Sequence, residues 1–154
     1  NDAFFFFYTV RGYVHDEIAA FSGGVQGNAG LFSTASDVAK YSQMLLNGGV
    51  YGGERLLSAA TVRKFTDSRS QGGKRALGFD LMGNPLSKDD TAGYSIFGHT
   101  GFTGTCFWID PENELIFVFL SNRVNPSRHN RAFTRLNPRG LMMKAIYESI
   151  KGAS

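Results

Sequence analysis

The sequence predicts an α+β fold in which an antiparallel sheet is flanked by helices. Segments with helix-capping residues lie towards both ends of the 154-residue chain, and short strand-like segments lie between them. In the last of these strands, 115–121, apolar residues fill both alternating faces, so both faces need a cover, most simply helices. Only about three helices and three or four strands can be counted. We therefore expect one sheet face or edge to lack its partner within this chain.

Three helices are predicted from their capping signals. The first begins at 34–37, where Thr-Ala-Ser-Asp resembles a capping box, and it ends at Gly48. The second covers 59–67 and has Ser58 as its N-cap. The third begins at Pro138, which suits the first helical position and follows an asparagine cap. The third is expected to pack on one face of the sheet.

Four strands are predicted between the second and third helices. The last two form a hairpin, because 110–113 reads Asp-Pro-Glu-Asn, the composition of a type I turn. The strand that carries His99 is expected at the outer edge of the sheet, where a substrate can reach it, and the last strand at the opposite edge. An apolar edge left bare templates another strand, so we expect the isolated chain to be an oligomer, to be marginally stable, or to cover this edge with Phe4–Tyr8. The predicted strands are 75–82, 95–100, 104–109 and 115–121.

Composition argues against several classes of function. The chain is 42% hydrophobic and 19% charged, which excludes a disordered tail. No apolar run approaches the roughly 18 residues needed to cross a bilayer, and Phe4–Tyr8 is too short for a signal peptide. The net charge is only +3, with basic residues spread over 123–151, so we expect no nucleic-acid partner. The basic segment is expected to form a solvated surface or, as the alternative, a surface that binds an acidic partner or an anionic cell-wall polymer. His15, His129 and Cys106 lack metal-ligand spacing, and no metal site is expected.

The segment 98–104, Gly-His-Thr-Gly-Phe-Thr-Gly, carries the main chemical signal. Glycines beside a hydroxyl residue at a strand end let a substrate lie against the backbone. The strand edge would offer an N–H donor to an acyl oxygen, and Thr100 a hydroxyl to a substrate carboxylate. Taken alone, the segment fits at least as well a bulged edge strand whose small residues avoid a clash, with His99 as a structural histidine.

In its context this segment resembles the penicillin-binding proteins and serine β-lactamases, within the class C-related group of serine hydrolases. His99-Thr100-Gly101 is similar to the Lys-Thr-Gly box of that family in its His-Thr-Gly form. Other segments resemble the family in the same order along the chain, which makes the resemblance far more specific than the box alone. These segments are 12–17, 23–25, 29–37, 44–49, 98–104, 108–111 and 121–126.

Two motifs of that family are missing from the chain. No serine is followed three residues later by lysine, so the Ser-x-x-Lys nucleophile box is absent. The Tyr-x-Asn or Ser-x-Asn box is absent as well. In the family both boxes precede the region that is resembled here. The resemblance therefore implies that 1–154 is the C-terminal part of a single catalytic domain, with the nucleophile outside this chain.

The resemblance implies acyl transfer through a seryl ester, with water as final acceptor and no metal or organic cofactor. The substrate would be a β-lactam, an ester or a D-amino-acid peptide. Thr100 and Gly101 would bind it, His99 would replace the family's lysine, and the backbone N–H of Phe102 would be one of two oxyanion-hole donors. A bacterial periplasmic or other extracytoplasmic location is also implied. Partners would be the missing N-terminal part of the domain or a second copy through the exposed sheet edge.

A non-catalytic module is the alternative from a different class. Such a module would keep the substrate-lining strand and bind a peptide, a cell-wall fragment or a partner chain. The two interpretations differ in what the natural chain contains upstream of Asn1. Ser-x-x-Lys and Tyr-x-Asn boxes there would favour the enzyme, whereas a natural start near Asn1 would favour the binding module.

Overall fold

A computed structural model of the chain describes residues 11–67, 73–86 and 93–152. The segment Phe4–Tyr8, which was expected as a possible cover for the sheet edge, lies outside these residues. In chain order the elements are α1 (Glu17–Phe21), α2 (Ala35–Leu46), β1 (Val50–Tyr51), β2 (Glu54–Arg55), α3 (Ala59–Asp67), β3 (Asp80–Met82), β4 (Ile96–Thr100), β5 (Cys106–Asp110), β6 (Leu115–Phe119), α4 (Ala132–Leu136) and α5 (Pro138–Gly152).

The main sheet is antiparallel and has the strand order β3-β4-β5-β6. The α+β fold class and the consecutive pairing of the last three strands are therefore confirmed. Trp108 in the middle of β5 pairs with Gly98 of β4 on one side and with Phe117 of β6 on the other. The strands β1 and β2 form a separate two-stranded hairpin.

Both faces of this sheet are covered by helices, as the two-sided apolar pattern predicted. Alternation along β5 sends Phe107 and Ile109 to one face and Cys106 and Trp108 to the other. Helices α2 and α3 pack on the first face, and α5 packs on the second. The buried residues of the first cluster are Met44, Leu45, Val62, Phe79, Leu81, Phe97 and Ile109. Those of the second are Ile96, Cys106, Phe117, Met143 and Tyr147.

The three predicted helices begin where their caps indicated. The backbone N–H of Asp37 donates to Thr34 Oγ1 at 3.1 Å, and that of Thr61 donates to Ser58 Oγ at 3.0 Å. The side chain of Asn137 accepts from the first turn of α5. Sequence reasoning missed α1 and α4, because five residues are too few to show a helical period.

The predicted strand 75–82 is too long. Only Asp80–Met82 is a strand, because the preceding residues turn back on themselves. Gly78 has a φ of +87°, which favours glycine, and the N–H of Ala76 donates to the carbonyl of Phe79 at 3.0 Å. Arg75 consequently faces Asp80 in an isolated antiparallel bridge.

The expected edge position of the His99 strand is wrong, since β4 lies between β3 and β5. The expectation assumed that a substrate reaches His99 only at an edge strand. Because β3 is short and pairs with β4 only as far as Gly98, the end of β4 stays accessible. The expected position of the last strand at the opposite edge is confirmed, because β6 ends the sheet and has no second partner strand among the described ranges. Within those ranges, the helices are too short or too polar to cross a membrane.

Candidate active site

The last two residues of β4 extend beyond the edge strand β3. Pairing between β3 and β4 ends at Asp80 opposite Gly98. His99 and Thr100 therefore pair only with β5, opposite Phe107 and Cys106. Thr100 is exposed, and the His99 side chain is 42% exposed. The structure thus brings the two side chains to an open strand end, which is where the segment 98–104 was expected to meet a substrate.

Both ring nitrogens of His99 face acceptors. Nδ1 lies 2.8 Å from the carbonyl oxygen of Thr100, and Nε2 lies 3.8 Å from Asp80 Oδ2. The other carboxylate oxygen of Asp80 lies 3.0 Å from a terminal nitrogen of Arg75. A carbonyl can only accept, so Nδ1 is the donor in that bond, and Nε2 is the nitrogen that faces the Asp80 carboxylate.

The glycines of the segment 98–104 are explained by packing. A Cβ on Gly98 would collide with the carbonyl oxygen of Phe107, and one on Gly101 with Thr105 Oγ1. Gly104 has a φ of +102° and lies against Ser121 Oγ. Close packing thus requires small residues here whether or not a substrate binds, as the bulged-strand explanation proposed. A functional assignment has to rest on Thr100 and on the backbone of the loop.

The loop 101–105 turns tightly and leaves the backbone N–H of Phe102 pointing outwards. The N–H of Gly104 donates to the carbonyl of Gly101 at 3.0 Å, and the N–H of Gly101 donates to the carbonyl of Thr105 at 2.8 Å. In a trans peptide the C=O and N–H groups point in opposite directions. Because the Gly101 carbonyl points into the turn, the N–H of Phe102 points out of it. This N–H has no acceptor among the described residues.

Three side chains that sequence reasoning left without a role surround the ring of Phe102. His15 stacks on it with centroids 5.3 Å apart, and the guanidinium carbons of Arg123 and Arg128 lie 4.4 and 5.9 Å from its centroid. Arg128 also forms an ion pair with Glu17 at 3.0 Å. The expected solvated basic surface is therefore partly wrong. The order of the family-like segments 12–17, 98–104 and 121–126 was the available signal that these parts meet.

Arg123 binds the loop through both its side chain and its backbone. Its Nε donates to the carbonyl of Phe102 at 2.6 Å, and its backbone N–H donates to the carbonyl of Thr103 at 2.8 Å. Arg139 holds the far end of the loop by donating to the carbonyl of Thr105 at 3.1 Å. Arginines thus bind three of the loop's carbonyls, those of Phe102, Thr103 and Thr105.

Cys106, directly after this loop, is buried as the sequence predicted. Burial raises the pKa of its thiol, so the sulfur stays protonated at neutral pH and is a poor nucleophile. The described residues hold no group of three or more His, Cys, Asp and Glu side chains with the geometry of a metal site.

Comparison with known proteins identifies relatives over most of the chain. Residues 6–138 match the family model described as Beta-lactamase. Proteins named "Putative D-alanyl-D-alanine carboxypeptidase" from Escherichia coli K12 and from Salmonella agona are 37% identical over 156 residues and 39% identical over 157 residues. Each match covers 93% of this chain and 36% of the relative. The chain therefore spans about a third of the length of these relatives.

Proposed function

The chain belongs to the β-lactamase family, and from this premise we propose that it is the C-terminal, substrate-binding part of a serine hydrolase domain. In the proposed reaction a serine Oγ outside this chain attacks the substrate carbonyl and forms an ester. The bond to the leaving group breaks with proton transfer to that group, and water then hydrolyses the ester. Residues 1–154 would bind and orient the substrate and stabilise the oxyanion.

The observation that carries the proposal is the outward N–H of Phe102 beside the exposed Thr100. An outward donor next to a strand end is the arrangement that stabilises a tetrahedral oxyanion, because it needs no reorganisation when charge develops. The second donor would be the backbone N–H of the nucleophile, which this chain does not contain. Packing explains the neighbouring glycines, and the turn 101–104 leaves this N–H free to bind a substrate oxygen.

The substrate we propose is a peptide that ends in a D-amino acid with a free carboxylate. The Thr100 hydroxyl can donate to that carboxylate, and His99 lies next to Thr100 in the chain. The names of the relatives, which refer to D-alanyl-D-alanine, support this choice over a neutral ester or a β-lactam. Such a substrate belongs to the bacterial cell wall, and an extracytoplasmic location is part of the proposal.

The missing part of the domain would also complete the sheet. The strand β6 has buried or half-buried apolar residues and lies at the end of the sheet order. An edge of this kind, with free backbone groups, is a template for another strand. We propose that the N-terminal part of the parent domain supplies that strand, and that association of two copies through β6 is what happens when the part is absent.

A paired-substrate experiment on the full-length parent tests the function. Thr100→Ala should lower kcat/KM for a D-alanyl peptide with a free carboxylate by roughly 10- to 150-fold, the cost of a lost hydrogen bond to a charged group. It should lower kcat/KM for a neutral ester much less. Thr103→Ala removes a hydroxyl from the same loop that the proposal does not use, and it is the matched control. His99→Lys should shift preference towards the carboxylate-bearing peptide, since lysine stays charged at pH 7.

Equal losses on the two substrates would mean that Thr100 shapes the strand without contacting the carboxylate. A parent protein that lacks Ser-x-x-Lys and hydrolyses neither substrate would favour the other candidate, a non-catalytic module. The exposed aromatic and basic surface around Phe102 is the observation that favours this second candidate, because it would suit binding of an acidic peptide.

A further inference from the structure

One arginine outside the His-Thr-Gly segment contacts two successive peptide units of the loop 101–105. Arg123 follows β6 and bonds the carbonyl of Phe102 through Nε at 2.6 Å and that of Thr103 through its backbone N–H at 2.8 Å. Its guanidinium carbon lies 4.4 Å from the centroid of the Phe102 ring. The ring is 59% exposed, so these contacts bury little apolar surface.

The Nε of Arg123 bonds the peptide between Phe102 and Thr103, which the hydrogen bond of the turn itself does not hold. In the turn Gly101–Gly104, the hydrogen bond from the Gly104 N–H to the Gly101 carbonyl fixes the two ends. The middle peptide, between Phe102 and Thr103, can rotate, and its rotation is the difference between turns of type I and type II. A bond from Nε to the Phe102 carbonyl selects one of the two orientations.

The same bond attaches the turn to the chain that follows β6. A flip of the middle peptide changes ψ of Phe102 and φ of Thr103 and leaves the Phe102 N–H where the bond from Gly104 to the Gly101 carbonyl directs it within the turn. The contribution of the Arg123 side chain is therefore to hold Phe102 and its turn in place against the sheet. We propose that Arg123 is a positioning residue, which holds the turn in place at the end of β4 so that the Phe102 N–H is aimed at the oxyanion before the substrate arrives. The inference rests on the proposed function of this N–H as an oxyanion donor.

A second arginine in the chain provides a matched control. Arg55 donates from one terminal nitrogen to the carbonyls of Gly48 and Leu57, at 3.1 and 3.0 Å, near the β1–β2 hairpin. Its side chain therefore bonds loop carbonyls, as the Arg123 side chain bonds that of Phe102, but it lies outside the loop 101–105. Loss of either side chain should have similar effects on stability, and only loss of Arg123 should affect the reaction.

The test measures kcat and KM of the full-length parent, on a chromogenic neutral ester that does not depend on a carboxylate contact. Arg123→Ala should lower kcat by about 10- to 100-fold with little change in KM. Removal of an oxyanion-hole donor lowers kcat by about 10²- to 10³-fold, and a misplaced donor should lower it by less. Arg123→Lys, which keeps a donor on a flexible stem, should recover part of the loss. Arg55→Ala should leave kcat unchanged. Thermal unfolding of each variant checks that it is folded.

A kcat for Arg123→Ala within twofold of the wild type, in a folded protein, would overturn the inference and leave the proposed function standing. A loss of kcat in Arg55→Ala as large as that in Arg123→Ala would overturn it too, because general destabilisation would then explain both. Should the wild-type parent itself show no esterase or peptidase activity, the proposed function would fail and the inference with it. If Arg123→Ala does not fold, the kcat of Arg123→Lys decides by the same criteria.

Discussion

The two connections of β5 are built in opposite ways. At one end, the turn 111–114 closes around Asp110, which is 3% exposed and accepts four hydrogen bonds from protein groups. Two come from backbone N–H groups at 2.9 and 3.2 Å, one from Asn113 Nδ2 at 2.7 Å, and one from the hydroxyl of Tyr147 in α5. At the other end, the loop 101–105 is bound by arginines from outside and leaves the Phe102 N–H without an acceptor.

This difference separates a structural connection from the one to which we assign the function. A buried carboxylate with all its acceptor positions filled stabilises the hairpin and fixes α5 on the sheet, and it has nothing left to offer a ligand. The loop 101–105 instead keeps an outward donor beside an exposed hydroxyl. Changes in the turn should therefore affect stability, and changes in the loop should affect the reaction.

The largest expected effect is the inactivity of the isolated chain, which lacks the proposed nucleophile. The 154-residue chain alone should neither hydrolyse a chromogenic cephalosporin nor take up a covalent label from a fluorescent penicillin, whereas the full-length parent should do at least one of the two. Loss of a catalytic nucleophile costs about 10⁶-fold in kcat, so the activity of the chain should lie at background. Intact mass after labelling measures the outcome.

The same two proteins report on the sheet edge. If the N-terminal part pairs with β6 as proposed, hydrogen exchange at 115–119 should be slower in the parent than in the isolated chain at low concentration. Sedimentation of the chain at several concentrations detects pairing between copies. Stoichiometric labelling of a serine in the isolated chain would contradict the assignment of the nucleophile to the missing part. A monomeric chain with equally protected amides would show that β6 needs no partner.

The next effect is on stability and concerns the turn. Asp110→Ala removes a buried carboxylate and leaves the Tyr147 hydroxyl buried without its acceptor, so it should lower the free energy of unfolding by about 3 kcal/mol. Asp37→Ala is the control, because Asp37 also accepts from two side chains, Thr34 and Lys40, but on an exposed helix surface. Its effect should be much smaller. Urea denaturation at an unchanged m-value measures both, and equal losses would contradict the contrast between turn and loop.

Local patterns in the sequence predicted the hairpin better than they predicted the site. The turn 110–113 and the caps at Thr34 and Ser58 are contained in a few consecutive residues, and so were foreseeable. Arg123 meets Phe102 across 21 positions of sequence, and its identity gives no sign of which carbonyl it will bind. The edge position of β4 was mispredicted because substrate access was assumed to need an edge strand. The turn at Gly78 keeps β3 short, so the end of β4 stays accessible although β3 pairs with it.

The smallest expected effect is a dependence of stability on alkaline pH, and it arises at the anchored end of β5. Burial and the hydrogen bond to the carboxylate of Asp110 raise the pKa of Tyr147 above its usual value of 10. Above pH 10 the unfolded chain loses this proton while the folded chain keeps it. The contribution of Tyr147 to stability is therefore complete below pH 10 and decreases as the pH rises, by up to about 1.4 kcal/mol per pH unit.

Tyr147→Phe removes the titrating group and should flatten this decrease. The variant is expected to be less stable than the wild type at pH 8, because the hydrogen bond to Asp110 is lost, and the difference should narrow between pH 10 and 11.5. Tyr41→Phe is the comparison, since partial burial alone raises the pKa of Tyr41 and no carboxylate contributes, so its flattening should be smaller. The measurement is the urea midpoint at half-unit steps of pH. Parallel curves for wild type and Tyr147→Phe above pH 10 would mean that the Asp110–Tyr147 contact does not hold the proton, and that α5 is fixed to the sheet by its apolar residues alone.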